Sequence, residues 1–185
     1  MSRPGRAPGE LLLGEWACLG ALAEGPSHGF AIASRLRPEG DLGRIWSLSR
    51  PLTYRAIDHL VRLGHVEPVG EEPGIAGGKR TVVTITPSGR YALEQWIVRP
   101  VEHLREVRDE LLLKLHLARE LGVDATSMID DQHRIVVRLR DALFEQANSE
   151  GSDVVALWRL EAADATLRFL DALVTPPRRR GSASK

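Results

Sequence analysis

The sequence is short of what most enzymes and secreted domains require. It holds one cysteine, Cys18. A single cysteine excludes an internal disulfide and a cysteine metal cluster. No apolar run approaches the roughly 20 residues of a membrane helix. The Met-Ser-Arg-Pro start has no apolar signal-peptide core. His28, His59, His65, His103, His116 and His133 show no HExxH or other metal-ligand spacing. Ser27-His28 implies no third member of a catalytic triad. Glu71-Glu72 reads as a solvated turn, and no GK[ST] follows the glycines at 74–78 to make a phosphate loop. The net charge is zero, which argues against a generic nucleic-acid coat. The expectation is a soluble, cytoplasmic protein that is not an enzyme and carries no cofactor or metal.

The charges that are present are unevenly spread. Residues 1–100 hold 12 Lys/Arg and 10 Asp/Glu, whereas residues 101–177 hold 9 and 15. A basic surface must therefore be local and lie in the first half. The stretch that organises the chain is 46–64, WSLSRPLTYRAIDHLVRLG. It reads as one helix with marked ends. Ser49 is a good N-cap, Pro51 sits just inside the start, and Gly64 supplies the left-handed residue at the close. Thr53, Ile57, Leu60 and Val61 fall on one face, expected to be buried; Arg55, Asp58, His59 and Arg62 fall on the other. The exposed start carries Ser49, Arg50, Thr53 and Arg55. A helix entering a major groove needs donors there, toward base edges and phosphates, and an apolar back to hold it.

Around this stretch the chain reads in order. Residues 1–9 have no periodicity and are expected to be disordered. A helix over 10–24 carries the stripe Leu12, Trp16, Leu19 and Leu22, with Cys18 as a buried structural thiol. Gly25-Pro26 stops it. Ser27 is expected to cap a second helix with Phe30, Ile32, Ala33 and Leu36 facing inward. A Gly/Pro-rich loop over 38–48 leads to the organising helix. Beyond it, HVEPV and the β-branched RTVVTIT read as a hairpin whose tip presents Gly77, Gly78, Lys79 and Arg80. Thr86-Pro87-Ser88 starts a helix to about Val98. Three helices and then a hairpin with a basic tip is the winged helix-turn-helix order. With Arg50, Arg55, Lys79 and Arg80 at both contact points, double-stranded DNA is the expected partner. The alternative is a winged-helix adaptor that binds another protein.

The second half reads as all helix. A helix over 102–121 has a wide apolar face of Leu104, Val107, Leu111, Leu112, Leu115, Leu117 and Ala118, and Gly122 ends it. Asp124 is expected to cap the next helix, with Ile129, Val136, Leu139, Leu143 and Ala147 in register. A turn is expected at 148–152. In the last helix Val155, Trp158, Ala162, Ala165, Phe169 and Ala172 repeat at 3-4 spacing, a helix-packing seam. The expected fold is mainly α. A disordered N-terminus over 1–9 precedes a winged domain over 10–100, a helical dimerisation domain over 101–175 and a disordered basic tail over 176–185. Val155, Trp158, Ala162, Ala165 and Phe169 are the expected dimer interface.

The motifs LGALAEGPSHGFAIASRL, LTYRAIDHLVRLGHVEP and RTVVTITPSGRYALEQWI resemble the PadR-like family of transcriptional regulators. DELLLKLHLARELG is similar to the start of the helical domain of its larger subfamily. The likeness covers nearly the whole chain. Family members often carry Tyr where Phe30 stands and Leu where Thr53 and Ile57 stand, and Ser-Arg-Pro is an unusual start for the recognition helix. The resemblance implies a homodimeric repressor on an inverted-repeat operator, released by a small molecule. By position it adds Tyr54 and His28 to Ser49, Arg50, Thr53, Arg55, Lys79 and Arg80 as DNA contacts, His28 at a helix start where a phosphate could sit. A small apolar or aromatic effector is expected near the junction of the two domains, with Trp16 and Trp96 as candidate neighbours.

Overall fold

The computed structural model describes residues 11–73, 78–149 and 153–174. The expected N-terminal segment 1–9, the wing-tip Gly77, the side chain of Ala147 and the tail 176–185 lie outside the described residues. The chain forms two compact units. One runs to Arg99 and takes in Arg108–Ala125; the other joins Pro100–Val107 to the helices from Thr126 onward.

The first unit is a winged helix. Helix α1 (Leu13–Ala23) is buried nearly all round, and Ala17, Cys18, Leu19 and Leu22 are fully enclosed. Leu12, expected on its apolar stripe, instead stands exposed at the helix start, where Glu15 accepts its backbone N–H at 2.6 Å. Strand β1 (Ser27–His28) precedes α2 (Gly29–Arg35). Ser27 is not the cap of α2. The chain is extended there, so Ser27 and His28 pair with Val83 and Val82, and the ring Nδ1 of His28 accepts the N–H of Ala31 at 3.0 Å.

Helix α3 (Arg50–Arg62) has Pro51 in its first turn, where a lost N–H costs little. Gly64 follows its end at φ 72°, a left-handed conformation that glycine adopts without strain. The N–H groups of Gly64 and His65 turn back to the carbonyls of Val61 and Leu60, both at 3.0 Å. The start is closed differently from expectation. The Ser49 hydroxyl makes no cap; its carbonyl takes both the N–H (2.9 Å) and the hydroxyl (3.1 Å) of Thr53. The buried face is Thr53, Ala56, Ile57 and Leu60. Val61, expected on that face, is 37% exposed because it stands one step round the helix, beside the wing. His59, expected outside, turns toward α1 and brings Nδ1 to 2.6 Å from a Glu15 oxygen.

Strands β2 (Val66–Pro73) and β3 (Lys79–Ile85) form the wing, with a bulge between Pro68 and Gly70. The expected hairpin gains β1 on its other edge, giving the order β1-β3-β2. Thr86 then caps α4 (Pro87–Ile97): its hydroxyl oxygen accepts the Gly89 N–H at 3.1 Å and its hydrogen goes to the Gly64 carbonyl at 2.7 Å. One side chain thus ties the end of α3 to the start of α4.

The helix expected over 102–121 is broken. A 3-10 turn (Leu104–Glu106) and a π-helical turn (Val107–Leu111) come before α5 (Leu112–Leu121), which ends at Gly122, φ 67°. Helix α5 packs into the winged unit through Leu113, Leu117 and Ala118, so residue 100 does not divide the chain's packing as expected. Lys114 is enclosed there. Its ammonium donates to the Arg99 carbonyl (2.9 Å), pairs with Glu110 (2.8 Å) and lies 4.9 Å from the Trp96 ring centre. A buried ammonium needs such partners, since its desolvation is otherwise costly.

The second unit is built on α6 (Thr126–Ser149) and α7 (Val154–Val174). Helix α6 runs into the expected turn at 148–152. His133 near its start lies 3.2 Å from Asp171 near the end of α7, so the two run antiparallel. Helix α7 buries Ala156, Ala163, Thr166 and Leu170.

Candidate nucleic-acid interface

Three elements bring polar side chains to one side of the winged unit. The start of helix α2 contributes Phe30 and its cap His28, the first turns of α3 contribute Arg50 and Tyr54, and β3 contributes Arg80. They meet at the Phe30 ring. The Arg50 guanidinium lies 5.2 Å from its centre and that of Arg80 lies 5.0 Å from it. Arg50 also lies 5.8 Å from the Tyr54 ring. All three distances suit attraction between a cation and an aromatic face. Tyr54 packs over the first turn of α2 so closely that a Cβ on Gly29 would lie 2.7 Å from its ring. A cleft of about 550 Å³ opens between α2, α3 and the wing, with Phe30, Ile57, Val61 and Val83 as its apolar lining and His28, Asp58, Lys79 and Arg80 as its polar lining.

The charges here differ from that of Arg35 in the same unit. Arg35 is held by Asp41 (2.5 Å) and Glu24 (2.7 Å). The hydrogen bonds from Arg35 hold the Asp41 carboxyl below its ordinary range, and the same bonds push the Arg35 guanidinium up. Lys79 is paired with Glu71 at 2.6 Å across the wing, both side chains exposed. Among the described residues no carboxylate pairs with Arg50, Arg55 or Arg80. Those three cations keep their full charge for an outside anion.

The residues expected at this surface fall into distinct places. His28, Arg50, Tyr54 and Arg80 come together, and Ser49 and Arg55 are exposed on the same helix. Thr53 does not join them: it is fully buried, with its hydroxyl spent on Ser49. Lys79 stands apart in its ion pair. Phe30, expected in the core from helical spacing, is only half-buried and forms the centre of the cluster. The one signal in the sequence was its position beside His28 at the start of a seven-residue helix, where few side chains can face inward.

Trp16 and Trp96 stack on each other, ring centres 4.9 Å apart and planes 10° apart, within the winged unit's core. They line neither the cleft above nor a smaller one on α6 and α7. The seam residues of α7 are not those it buries. Val155, Trp158 and Ala165 are exposed, Trp158 by 71%, while Ala162 and Phe169 are half-buried. Cys18 is enclosed, and burial together with the charge of Glu15 pushes its thiol up to about 12. Among the described residues no helix is long and apolar enough to cross a membrane.

No family model matches the chain. Over 121 residues it is 29% identical to the negative transcriptional regulator PadR of Bacillus subtilis (strain 168), a match spanning 64% of each chain. Among solved structures it is similar to Bacillus subtilis PadR in complex with operator DNA, at 21% identity and a TM-score of 0.45, covering 86% of this chain and 97% of that one. It is also similar to smu.1604c from Streptococcus mutans UA159, at 15% identity and a TM-score of 0.43, over 88% and 99% of the two chains. For the PadR-like transcriptional regulator BC1756 from Bacillus cereus the values are 17%, 0.39, 91% and 98%.

Proposed function

The chain is PadR-like in sequence, and from that premise we propose that it is a sequence-specific, DNA-binding transcriptional regulator. The observation that carries this reading is the set of cations without a carboxylate partner, Arg50, Arg55 and Arg80, shared between α3 and the wing. Phosphates supply most of the affinity of such a protein, and side chains on the recognition helix supply the selectivity. Arg55, exposed one turn into α3, is the candidate base reader. A gel shift or fluorescence anisotropy against the DNA upstream of its own gene tests the reading. Arg55→Ala should weaken binding to the operator by about 1–3 kcal/mol and relax selectivity at one position. Binding that is equal for all sequences would overturn it.

The reading extends to a homodimeric repressor on an inverted repeat. The apolar residues that α7 leaves exposed, Val155 and Trp158 above all, support a second copy packing there. Two-fold symmetry would then space the half-sites by about one helical turn or a multiple of it. Release would follow from a small apolar or aromatic effector that prefers one arrangement of the two DNA-binding heads. Trp16 and Trp96 stack on each other, so an effector that parts them would be reported by tryptophan emission.

A further inference from the structure

The donors gathered at Phe30 lack an acceptor. The Nδ1 atom of His28 accepts the Ala31 N–H, so it carries no hydrogen. In the neutral ring the hydrogen is then on Nε2, which becomes a donor. That Nε2 lies 3.5 Å from Nη1 of Arg80, and a guanidinium only donates. Two donors therefore face one another. The Arg50 guanidinium lies 5.2 Å from the centre of the same ring. Asp58 lines the cleft but pairs with none of the three. An arrangement of converging donors gains when an anionic oxygen enters it, since charge-assisted bonds are the strong ones.

The ring holds both guanidiniums beside it. A carboxylate would hold the guanidiniums but cancel their charge, as Asp41 and Glu24 do for Arg35. An aromatic face orients them and leaves the charge intact. We propose that His28, Arg50 and Arg80 form a clip for one backbone phosphate of duplex DNA, and that Phe30 is the residue that positions it. This rests on the DNA-binding reading above. His28, Phe30 and Arg80 line the open cleft beside α3 and the wing, and Arg50 is exposed at the start of α3, where a duplex backbone would run if α3 occupied the major groove.

The test measures anisotropy of a duplex of two helical turns and arbitrary sequence, over a range of salt. Phe30→Leu keeps most of the apolar bulk and removes the aromatic face. It should weaken binding about tenfold at low salt, the weight of one charge-assisted contact. It should also lower the slope of log affinity against log salt by about 1. Phe30→Tyr should restore both. His28→Asn keeps a capping side chain but loses the Nε2 donor, and should weaken binding several-fold with unchanged thermal unfolding. In the DNA-free protein, the δ protons of Arg80 should show upfield ring-current shifts that Phe30→Leu abolishes and Phe30→Tyr keeps.

A Phe30→Leu protein with the wild-type salt slope overturns the clip while leaving DNA binding intact. So does one in which the arginine protons do not move. A wild-type protein that binds neither this duplex nor the DNA upstream of its own gene overturns the DNA reading and the clip with it. Inorganic phosphate alone, at matched ionic strength, is the second arm. If it shifts the His28 and Arg80 resonances and the duplex does not, the site takes a free anion and the backbone clip is wrong.

Discussion

Gln132 offers the sharpest test of the packing in the second unit. Its side chain is 1% exposed, and Val101 opposite is 2% exposed. The amide closes a ring with the Val101 main chain: Oε1 accepts the N–H at 2.7 Å and Nε2 donates to the carbonyl at 3.0 Å. Gln132→Leu keeps the volume and removes both bonds. Each buried backbone group left unpaired costs about 1–3 kcal/mol. Relief from burying the amide, and the gain from apolar burial, return about 1–2 kcal/mol. The expected net loss is about 2–3 kcal/mol. If the second unit unfolds by itself, a melt should show its transition fall by roughly 4–8 °C per kcal/mol; if the chain unfolds as one, by roughly 2–4 °C.

Gln132→Glu sharpens the test through pH. Its carboxylate could accept the Val101 N–H but would face the carbonyl without a proton to give it. Protonation restores the donor, so the folded pKa should rise above the ordinary value of about 4.3. A raised folded pKa means that stability is fully present below the unfolded pKa and lost as pH rises through the folded one. The Glu variant should therefore approach wild type in acid and fall behind it toward neutrality. A Leu variant within about 0.5 kcal/mol of wild type, the range of an ordinary surface change, would refute the reasoning.

Gly89→Ala should destabilise by about 2–3 kcal/mol in urea unfolding, although alanine is the better helix former, because its Cβ would lie 2.2 Å from the His65 carbonyl oxygen and the backbone must move. An unchanged midpoint would show that α4 shifts at no cost. Cys18 should resist thiol reagents in the folded protein at mildly alkaline pH. With its folded value at about 12, its contribution is intact below the unfolded pKa and declines as pH rises from there toward 12. Cys18→Ala should flatten that part of the alkaline stability curve, and a native thiol reacting at the unfolded rate would contradict the burial. Ala165→Asp with Phe169→Asp should shift sedimentation from dimer to monomer, and an unaltered dimer would place the interface elsewhere.

The features legible in the sequence are those settled within a few residues of themselves. Pro51 and Gly64 mark the ends of α3, Thr86 starts α4 and Gly122 ends α5, because each answers a backbone requirement of its own turn. The order of helices and wing follows from the change of period after Gly64, and Arg50 and Arg80 stand out by charge and position alone. Spacing could not say which neighbour a side chain would meet. Phe30 and Val61 have core chemistry, yet the groove beside the wing leaves both partly exposed. His59 has surface chemistry, yet Glu15, 44 positions away in sequence, draws it inward. Leu113, left off the apolar face by helical counting, is fully buried, because the π-helical turn changes the phase of the helix before α5 begins. Lys114 and Gln132 could be buried only because tertiary partners answer their donors and acceptors: Arg99 and Glu110 for one, Val101 for the other. Local pattern prescribes a turn's ends and the direction of its apolar face. The identity of the group across the gap, and with it the gathering of His28, Arg50 and Arg80 on one ring, is decided by chain segments up to 52 residues apart meeting in space.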